Sequence, residues 1–414
     1  MVNKRVVITG LGAITPLGTT VNDFWDKLLN GISGIGPMTL CDASNYSCRV
    51  AGEVKHFDPT NFIDVKDSRR MARFSQLAVA AGRDALMSSG LNTPFIDSFR
   101  VGVILGNGNG GFPTIELNSR ILVEKGGMKM SPFFFPMILP NMATANLSRL
   151  IGAQGYSSTS VTACAASNQA IGEAFNVIRS GVADVMFTGG SEAGISELGL
   201  GGFAVMKALT TKNDVPSEAS KPFDKNRDGF VPAEGSGIIV LEELHHALKR
   251  GANIIAELSG FGCTSDAGHL VQPRADGLAA AQAMKLAIAD AGIDKSEIGY
   301  INAHGTSTPI NDLVETTAIK TVFKELAYQI PISSTKSMIG HSLGAAGSLE
   351  AIACIKTITE GIIHPTINLH SADPECDLDY VPLNSRAAEV EAVLSNAFGF
   401  GGQNACLVFK KFHQ

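Results

Sequence analysis

Residues 157–181, SSTSVTACAASNQAIGEAFNVIRSG, change their period at a single cysteine, and this change constrains the fold more than any other stretch. Ser157 to Ala163 alternates small polar with β-branched or small apolar residues, the pattern of a short strand with one face buried. From Ala165 the period is helical: Ile171, Phe175 and Ile178 lie four and three apart, Arg179 falls in the last turn, and Gly181 is the stop. Cys164 therefore stands where a strand turns into a helix. There the helix dipole and the free amides of the first turn favour thiolate over thiol. The same amides can hold the oxyanion formed when a thiolate attacks a carbonyl. A cysteine in this place can equally be one more buried small residue. Its partners elsewhere in the chain have to decide.

Strand-to-helix alternation continues on both sides of Gly251, where a charged helix over Glu242 to Arg250 ends. Strands are expected at Arg5–Thr9, Val101–Leu105 and Asp184–Thr188 in one half. In the other they are expected at Ile255–Leu258, Ile298–Ala303, Ile332–Ser334, Val393–Asn396 and Ala405–Phe409. This rhythm predicts an α/β fold built twice, with halves 1–251 and 252–414. No literal repeat is visible, so the duplication rests on rhythm alone. With 414 residues, 45% hydrophobic and only 17% charged, the chain can bury a large core. A net charge of -6 leaves no basic excess for nucleic acid. The seven cysteines are scattered, odd in number and without a CxxC pair, which fits free thiols in a reducing compartment and no metal site. Met1 leads almost directly into strand-like VVITG, and no apolar run reaches 18 residues. A cytoplasmic enzyme without leader or membrane span is expected.

Several motifs fall short. Gly10-Leu11-Gly12-Ala13-Ile14-Thr15 follows a strand, but Thr15 stands where the third glycine of a dinucleotide loop belongs, so a plain strand-to-helix turn is expected. Gly106 to Gly111 lacks the Lys-Ser/Thr of a phosphate loop, and its glycines more simply admit a ligand or another segment. Asp224 to Gly235 has calcium-loop spacing at Asp224, Asn226, Asp228 and Gly229, yet its twelfth position is Gly235 rather than a carboxylate. Lys129 to Pro140, KMSPFFFPMILP, carries three prolines and is expected to be irregular, buried against the fold or a second subunit.

Two histidines supply partners for Cys164. His304 ends a buried strand in NAHGTSTP, and His341 lies in KSMIGHS. Glycine-flanked turns at strand ends let such side chains converge in a cavity. One Cys and two His provide a nucleophile and two donors or proton carriers. Gly340 to Gly344 also matches the GxSxG nucleophile elbow. That elbow needs an apolar strand before it and an acid and a histidine after it, and neither the preceding STKSM nor the 70 residues that follow suits it.

VVITGLGAITPLG, VTACAAS, DKNRDGFVPAEGSG, NAHGTSTP, STKSMIGHSLGAAGS and NAFGFGGQN occur in this order along nearly the whole chain. On these motifs the chain resembles the β-ketoacyl-[acyl-carrier-protein] synthases of the condensing-enzyme (thiolase-like) family, most closely their synthase II branch. The resemblance implies a thiolase-like αβαβα fold of two similar halves and an acyltransferase that condenses acyl-enzyme with malonyl-carrier protein. It assigns the Cys-His-His set to Cys164, His304 and His341, with Lys336 and Glu315 supporting the histidines. The main-chain N–H groups of Cys164 and Phe400 would form the oxyanion hole, and Phe400 would gate the acyl tunnel, which Phe398 also lines. Thr306 and Thr308 would bind the phosphopantetheine amides, which arrive on the carrier, so no separate cofactor is implied. Lys66, Arg69, Arg70, Lys129 and Lys207 would dock acidic acyl-carrier protein. A homodimer is implied, and some relatives hold a monovalent cation beside the positions of Asn302, Glu350, Ser395 and Asn396.

The chain departs from the family pattern at three substrate positions. Val271 replaces a threonine that contacts pantetheine, Asn109 replaces an apolar residue at the acyl-pocket mouth, and Gln403 replaces a threonine of the last glycine loop. A thiolase would carry a second cysteine in that loop, synthase III would pair Cys with His and Asn, and a chain-length factor would lack Cys164. A polyketide ketosynthase has the same chemistry and differs only in partners. A nucleotide-dependent oxidoreductase would need an intact phosphate loop.

Overall fold

Ten short segments, most of them apolar, pair into one sheet in a computed structural model that describes residues 4–413. Residues 1–3, on which the no-leader expectation partly rests, lie outside the described residues. The first half contributes β1 (Val6–Ile14), β2 (Val101–Gly106), β3 (Ser157–Ser160), β4 (Val185–Glu192) and β5 (Gly235–Glu243). The second contributes β6 (Ala256–Ser265), β7 (Ile298–Asn302), β8 (Ile332–Ser333), β9 (Ala392–Gly399) and β10 (Gln403–Lys410). Their order is β3-β2-β4-β5-β1-β6-β10-β9-β7-β8. From either outer edge inward, each half reads third strand, second, fourth, fifth, first. The pairings along that path are parallel, parallel, antiparallel and antiparallel in both halves. The duplication, only a rhythm in the sequence, is explicit in the topology. The halves join where Val6–Ile8 pair antiparallel with Ala256–Leu258.

Five helices set the layers: α1 (Arg73–Ser89), α2 (Ala166–Arg179), α3 (Leu278–Asp290), α4 (Pro309–Phe323) and α5 (Ala346–Glu360). α2 and α5 pack on each other and on strands of both halves. α1 covers β1, β4 and β5 from outside, and α3, backed by α4, covers β6 and β10. The result is the expected αβαβα sandwich. α5 is buried on nearly every side, as a helix in the middle layer must be.

Four local expectations are corrected. β1 runs unbroken through Gly10 to Ile14, where a glycine turn was expected. A Cβ at Gly10 would lie 2.3 Å from the Ala85 carbonyl oxygen, and one at Gly12 would lie 2.0 Å from that of Ala81. These glycines let α1 press onto the strand. β4 likewise continues to Glu192 through Gly189 and Gly190. Glu242 and Glu243 finish β5, leaving a helix of only Leu244–Lys249. The proline-rich segment is not wholly irregular and only partly buried against its own chain: Phe134–Ile138 forms a short helix, with Met137 packed on the first-half core and Phe135 and Leu139 exposed. Among the described residues no helix is long and apolar enough to cross a membrane.

Candidate active site

The chain delivers its nucleophile through a strained turn. After β3, Ala163 adopts a left-handed φ of 49° and opens the 3-10 turn Ala163–Ala165, from which α2 starts. Such a backbone is unfavourable for alanine and persists only where its surroundings enforce it. It buries Cys164 at the floor of a cavity of about 800 Å³. His304, two residues beyond β7, and His341, ahead of α5, enter the same cavity. The Cys164 Sγ and a ring nitrogen of each histidine lie within 4.8 Å of one another. The imidazoles meet edge to face, 5.4 Å between centroids and 84° between planes.

Hydrogen bonds assign the tautomers. His341 Nδ1 accepts the Leu343 amide at 3.3 Å, so the neutral ring carries its proton on Nε2. Lys336 Nζ stands 3.4 Å from His304 Nδ1, which likewise leaves the proton on Nε2. Burial first, then the Lys336 charge, holds both imidazoles well below their ordinary pKa, so both are neutral donors. Burial pushes the Cys164 thiol up to about 12, outweighing Lys336 and the Phe400 and Cys164 amides that face the sulfur. This corrects the expectation of a resting thiolate: desolvation at the cavity floor exceeds the pull of the helix start, and the sulfur rests as a thiol.

Behind the histidines lies a buried charge set. Lys336 donates to the His304 carbonyl at 2.6 Å and pairs with Glu350 on α5, both groups fully buried. Glu315 on α4 accepts the His304 and Gly305 amides, each at 2.8 Å, and Asn396 Nδ2 at 3.1 Å. Lys336 therefore supports His304 directly, while Glu315 fixes the backbone that carries it. Glu350 is the ionic partner that sequence reasoning missed; its signal is a lone acid in the otherwise apolar stretch AGSLEAIACI. The Asn302 Oδ1, Glu350 Oε2 and Ser395 Oγ atoms are buried without hydrogen-bond partners. All three are hard oxygen donors at positions where the resemblance would place a monovalent cation, and their chemistry suits one.

Thr306 and Thr308 hydroxyls lie 2.8 Å apart in the cavity lining, and Thr308 caps α4 by accepting the Asn311 amide. Arg227 anchors that loop by donating to the Thr308 and Pro309 carbonyls. Val271 lines the same cavity, its amide turned to His269 Nδ1 at 3.1 Å. Phe398 packs against His304 with centroids 5.7 Å apart. Phe400 meets Phe203 at 6.4 Å, Phe203 meets Phe230 at 5.3 Å, and Phe230 meets His341 at 5.3 Å. Phe203 and Phe230, absent from the sequence reading, thus connect Phe400 to a catalytic ring. Asn109 also lines the cavity, but its Nδ2 is buried without an acceptor. Of the basic residues, Lys207 reaches the cavity; Lys66, Arg69, Arg70 and Lys129 are exposed and do not line it. The Arg70 guanidinium lies over the Phe133 ring, 4.8 Å from its centroid.

A cysteine facing two neutral imidazole donors and a pair of main-chain amides defines a condensing enzyme, which carries an acyl group on sulfur and stabilises a second, carbanionic thioester. Residues 3–247 match the family model of the β-ketoacyl synthase N-terminal domain, and residues 255–370 match that of the C-terminal domain. The chain belongs to the β-ketoacyl synthase family. It is 50% identical to a Synechocystis 3-oxoacyl-[acyl-carrier-protein] synthase 2 over 99% of this chain and 98% of that protein. It is 47% identical to the Staphylococcus aureus protein of the same name, over 99% of both. Among solved structures it resembles a ketosynthase in complex with its type II polyketide acyl-carrier protein, at 34% identity and a TM-score of 0.91. That likeness covers 99% of this chain and all of the other.

Proposed function

We propose that this chain elongates fatty acyl chains on acyl-carrier protein by decarboxylative condensation with malonyl-carrier protein. The observation that carries the reading is the convergence of the Cys164 thiol with two imidazoles that each present Nε2–H. The Cys164 sulfur attacks the incoming acyl thioester. The carrier's sulfur leaves with the proton that Cys164 gives up, and an acyl-cysteine remains. The amides of Cys164 and Phe400 receive the oxyanion.

A malonyl thioester then enters. Its bond to the carboxylate breaks, carbon dioxide leaves, and the electron pair moves onto the thioester oxygen as an enolate. His304 and His341 donate to that oxygen, and neutral imidazoles do so without the acidity that would quench the carbanion. The enolate carbon attacks the acyl-cysteine carbonyl, the carbon–sulfur bond breaks, and a 3-oxoacyl chain two carbons longer departs on the carrier. Cys164 regains a proton.

Thr306 and Thr308 meet the phosphopantetheine arm, so the protein needs no resident cofactor of its own. Lys207 at the cavity, with Lys66, Arg69, Arg70 and Lys129, receives the acidic carrier. Identity of 50% to a 3-oxoacyl synthase, against 34% to a polyketide ketosynthase, favours fatty acyl over polyketide chains. β3 lies at an outer edge of the sheet beside exposed Val161, an open strand with which a second copy of this chain would pair in a homodimer. Seven free cysteines suit a cytoplasmic location.

Intact-mass analysis after mixing with acyl-carrier proteins of graded chain length tests the function. A gain equal to the acyl group, absent in Cys164→Ala, is expected. No loading by folded wild-type protein would overturn the reading.

A further inference from the structure

The internal two-fold maps the active site onto a second place in the molecule. β9 ends at Gly399 against the turn that starts α2, and Phe400 follows; β4 ends at Glu192 against the turn that starts α5, and Ala193 follows. Both turns are three-residue 3-10 segments opened by a left-handed residue, Ala163 at φ 49° and Leu343 at φ 45°. Cys164 thus corresponds to Gly344, and Phe400 to Ala193. The amides of Cys164 and Phe400 face the catalytic sulfur. The amides of Gly344 and Ala193 face the carboxylate of Glu192, which is fully buried. Its Oε2 accepts Gly344 N–H at 3.2 Å and Gly108 N–H at 2.8 Å, and its Oε1 accepts Asn109 N–H at 3.3 Å.

We infer that this is a second oxyanion hole, produced by the duplication and filled from within, and that Glu192 is a positioning residue for the condensation. The carboxylate occupies the place that a substrate oxyanion takes in the active site. It ties the loop of Gly108 and Asn109, which lines the cavity, to Gly344, three residues beyond His341. Ser167, three residues beyond Cys164, donates to the carbonyl of the same Gly344. The nucleophile's helix, the acyl-pocket loop and the histidine turn therefore meet at one residue, Gly344, and one carboxylate. The packing leaves no slack, since a Cβ at Gly344 would lie 2.4 Å from the Gly108 nitrogen. This inference rests on the oxyanion hole of the proposed function.

Glu192→Ala empties the second hole, and sodium formate can refill it with a carboxylate. Acyl loading of Cys164 and decarboxylation of malonyl-carrier protein are measured with formate and with sodium chloride as the ionic-strength control. Both rates should fall about tenfold in the variant, because reacting groups lose their alignment. Formate should restore most of the loss and chloride none of it. Glu192→Gln keeps one carbonyl oxygen for Gly108 and Gly344 and should recover most of the decarboxylation without formate. Its NH2 group opposes the Asn109 amide, so KM for acyl-carrier protein should rise about threefold. That KM effect decides the matter if Glu192→Ala does not fold. Wild-type rates in Glu192→Ala, a loss that formate leaves unmoved, or wild-type KM in Glu192→Gln would overturn the inference. Wild-type protein that neither loads nor decarboxylates would instead refute the function beneath it.

Discussion

Lys336→Met should destabilise the protein in a pH-dependent way whose sign follows from the buried pair. Burial raises the Glu350 carboxyl to about 7, with the Lys336 ammonium pulling it down. Removing that ammonium leaves the carboxyl facing the burial cost and the nearby Glu315 carboxylate, so its folded pKa climbs further. In the unfolded chain it titrates near its ordinary 4.5. Between the two values the folded state binds the extra proton, so stability falls as pH rises, by about 1.36 kcal/mol per unit. In the wild type that fall ends near pH 7, where the paired carboxylate forms. In the variant it continues. From pH 7 to 8.5 Lys336→Met should therefore lose about 2 kcal/mol that the wild type keeps. Urea unfolding followed by the fluorescence of Trp25, the single and buried tryptophan, measures this at several pH values. Lys336→Met with Glu350→Gln should abolish the extra slope. A difference from wild type that stays flat or shrinks with rising pH would refute the reasoning. Activity should fall as well, because His304 loses the ammonium that touches both its Nδ1 and its carbonyl.

His304→Ala and His341→Ala should each slow malonyl-carrier decarboxylation about a hundredfold or more, since each removes a donor to the enolate oxygen. Cys164 loading, read by intact mass, should change far less in both. Gly399→Ala places a Cβ 2.6 Å from the Thr162 carbonyl and 3.1 Å from the Cys164 amide nitrogen. Acyl loading should drop about tenfold, because one wall of the oxyanion hole is displaced. Asn109→Ile replaces a buried donor that has no acceptor, so urea unfolding should show a gain of about 1 kcal/mol, and mass analysis should show faster loading of long acyl chains.

The chemistry of this chain was more legible in its sequence than its packing. A change of period at Cys164 and two glycine-flanked histidines located the reaction centre, because each is a local signal of strand end and turn. What the sequence hid was mostly long-range. Gly10 and Gly12 read as a loop until α1 supplies the carbonyls that require them to be glycine. Glu192 lay beyond the expected strand end at Thr188 and had no visible role, because its partner Gly344 lies 152 residues away. Phe203 and Phe230 gain meaning only as a row of rings between Phe400 and His341. The ionisation of Cys164 was read wrongly because helix position is visible in sequence and desolvation is not.

The seam between the halves governs how the protein can be made. β1 takes its second pairing partner from Ala256–Leu258, and the middle layer is complete only when residues 346–360 lie beside α2. At the ribosome's pace of about 5–20 residues per second, the first half emerges with an open strand edge and one uncovered apolar face, and waits roughly 5–20 seconds for α5. Throughout that interval the nascent chain presents the surfaces that chaperones bind and that aggregation exploits.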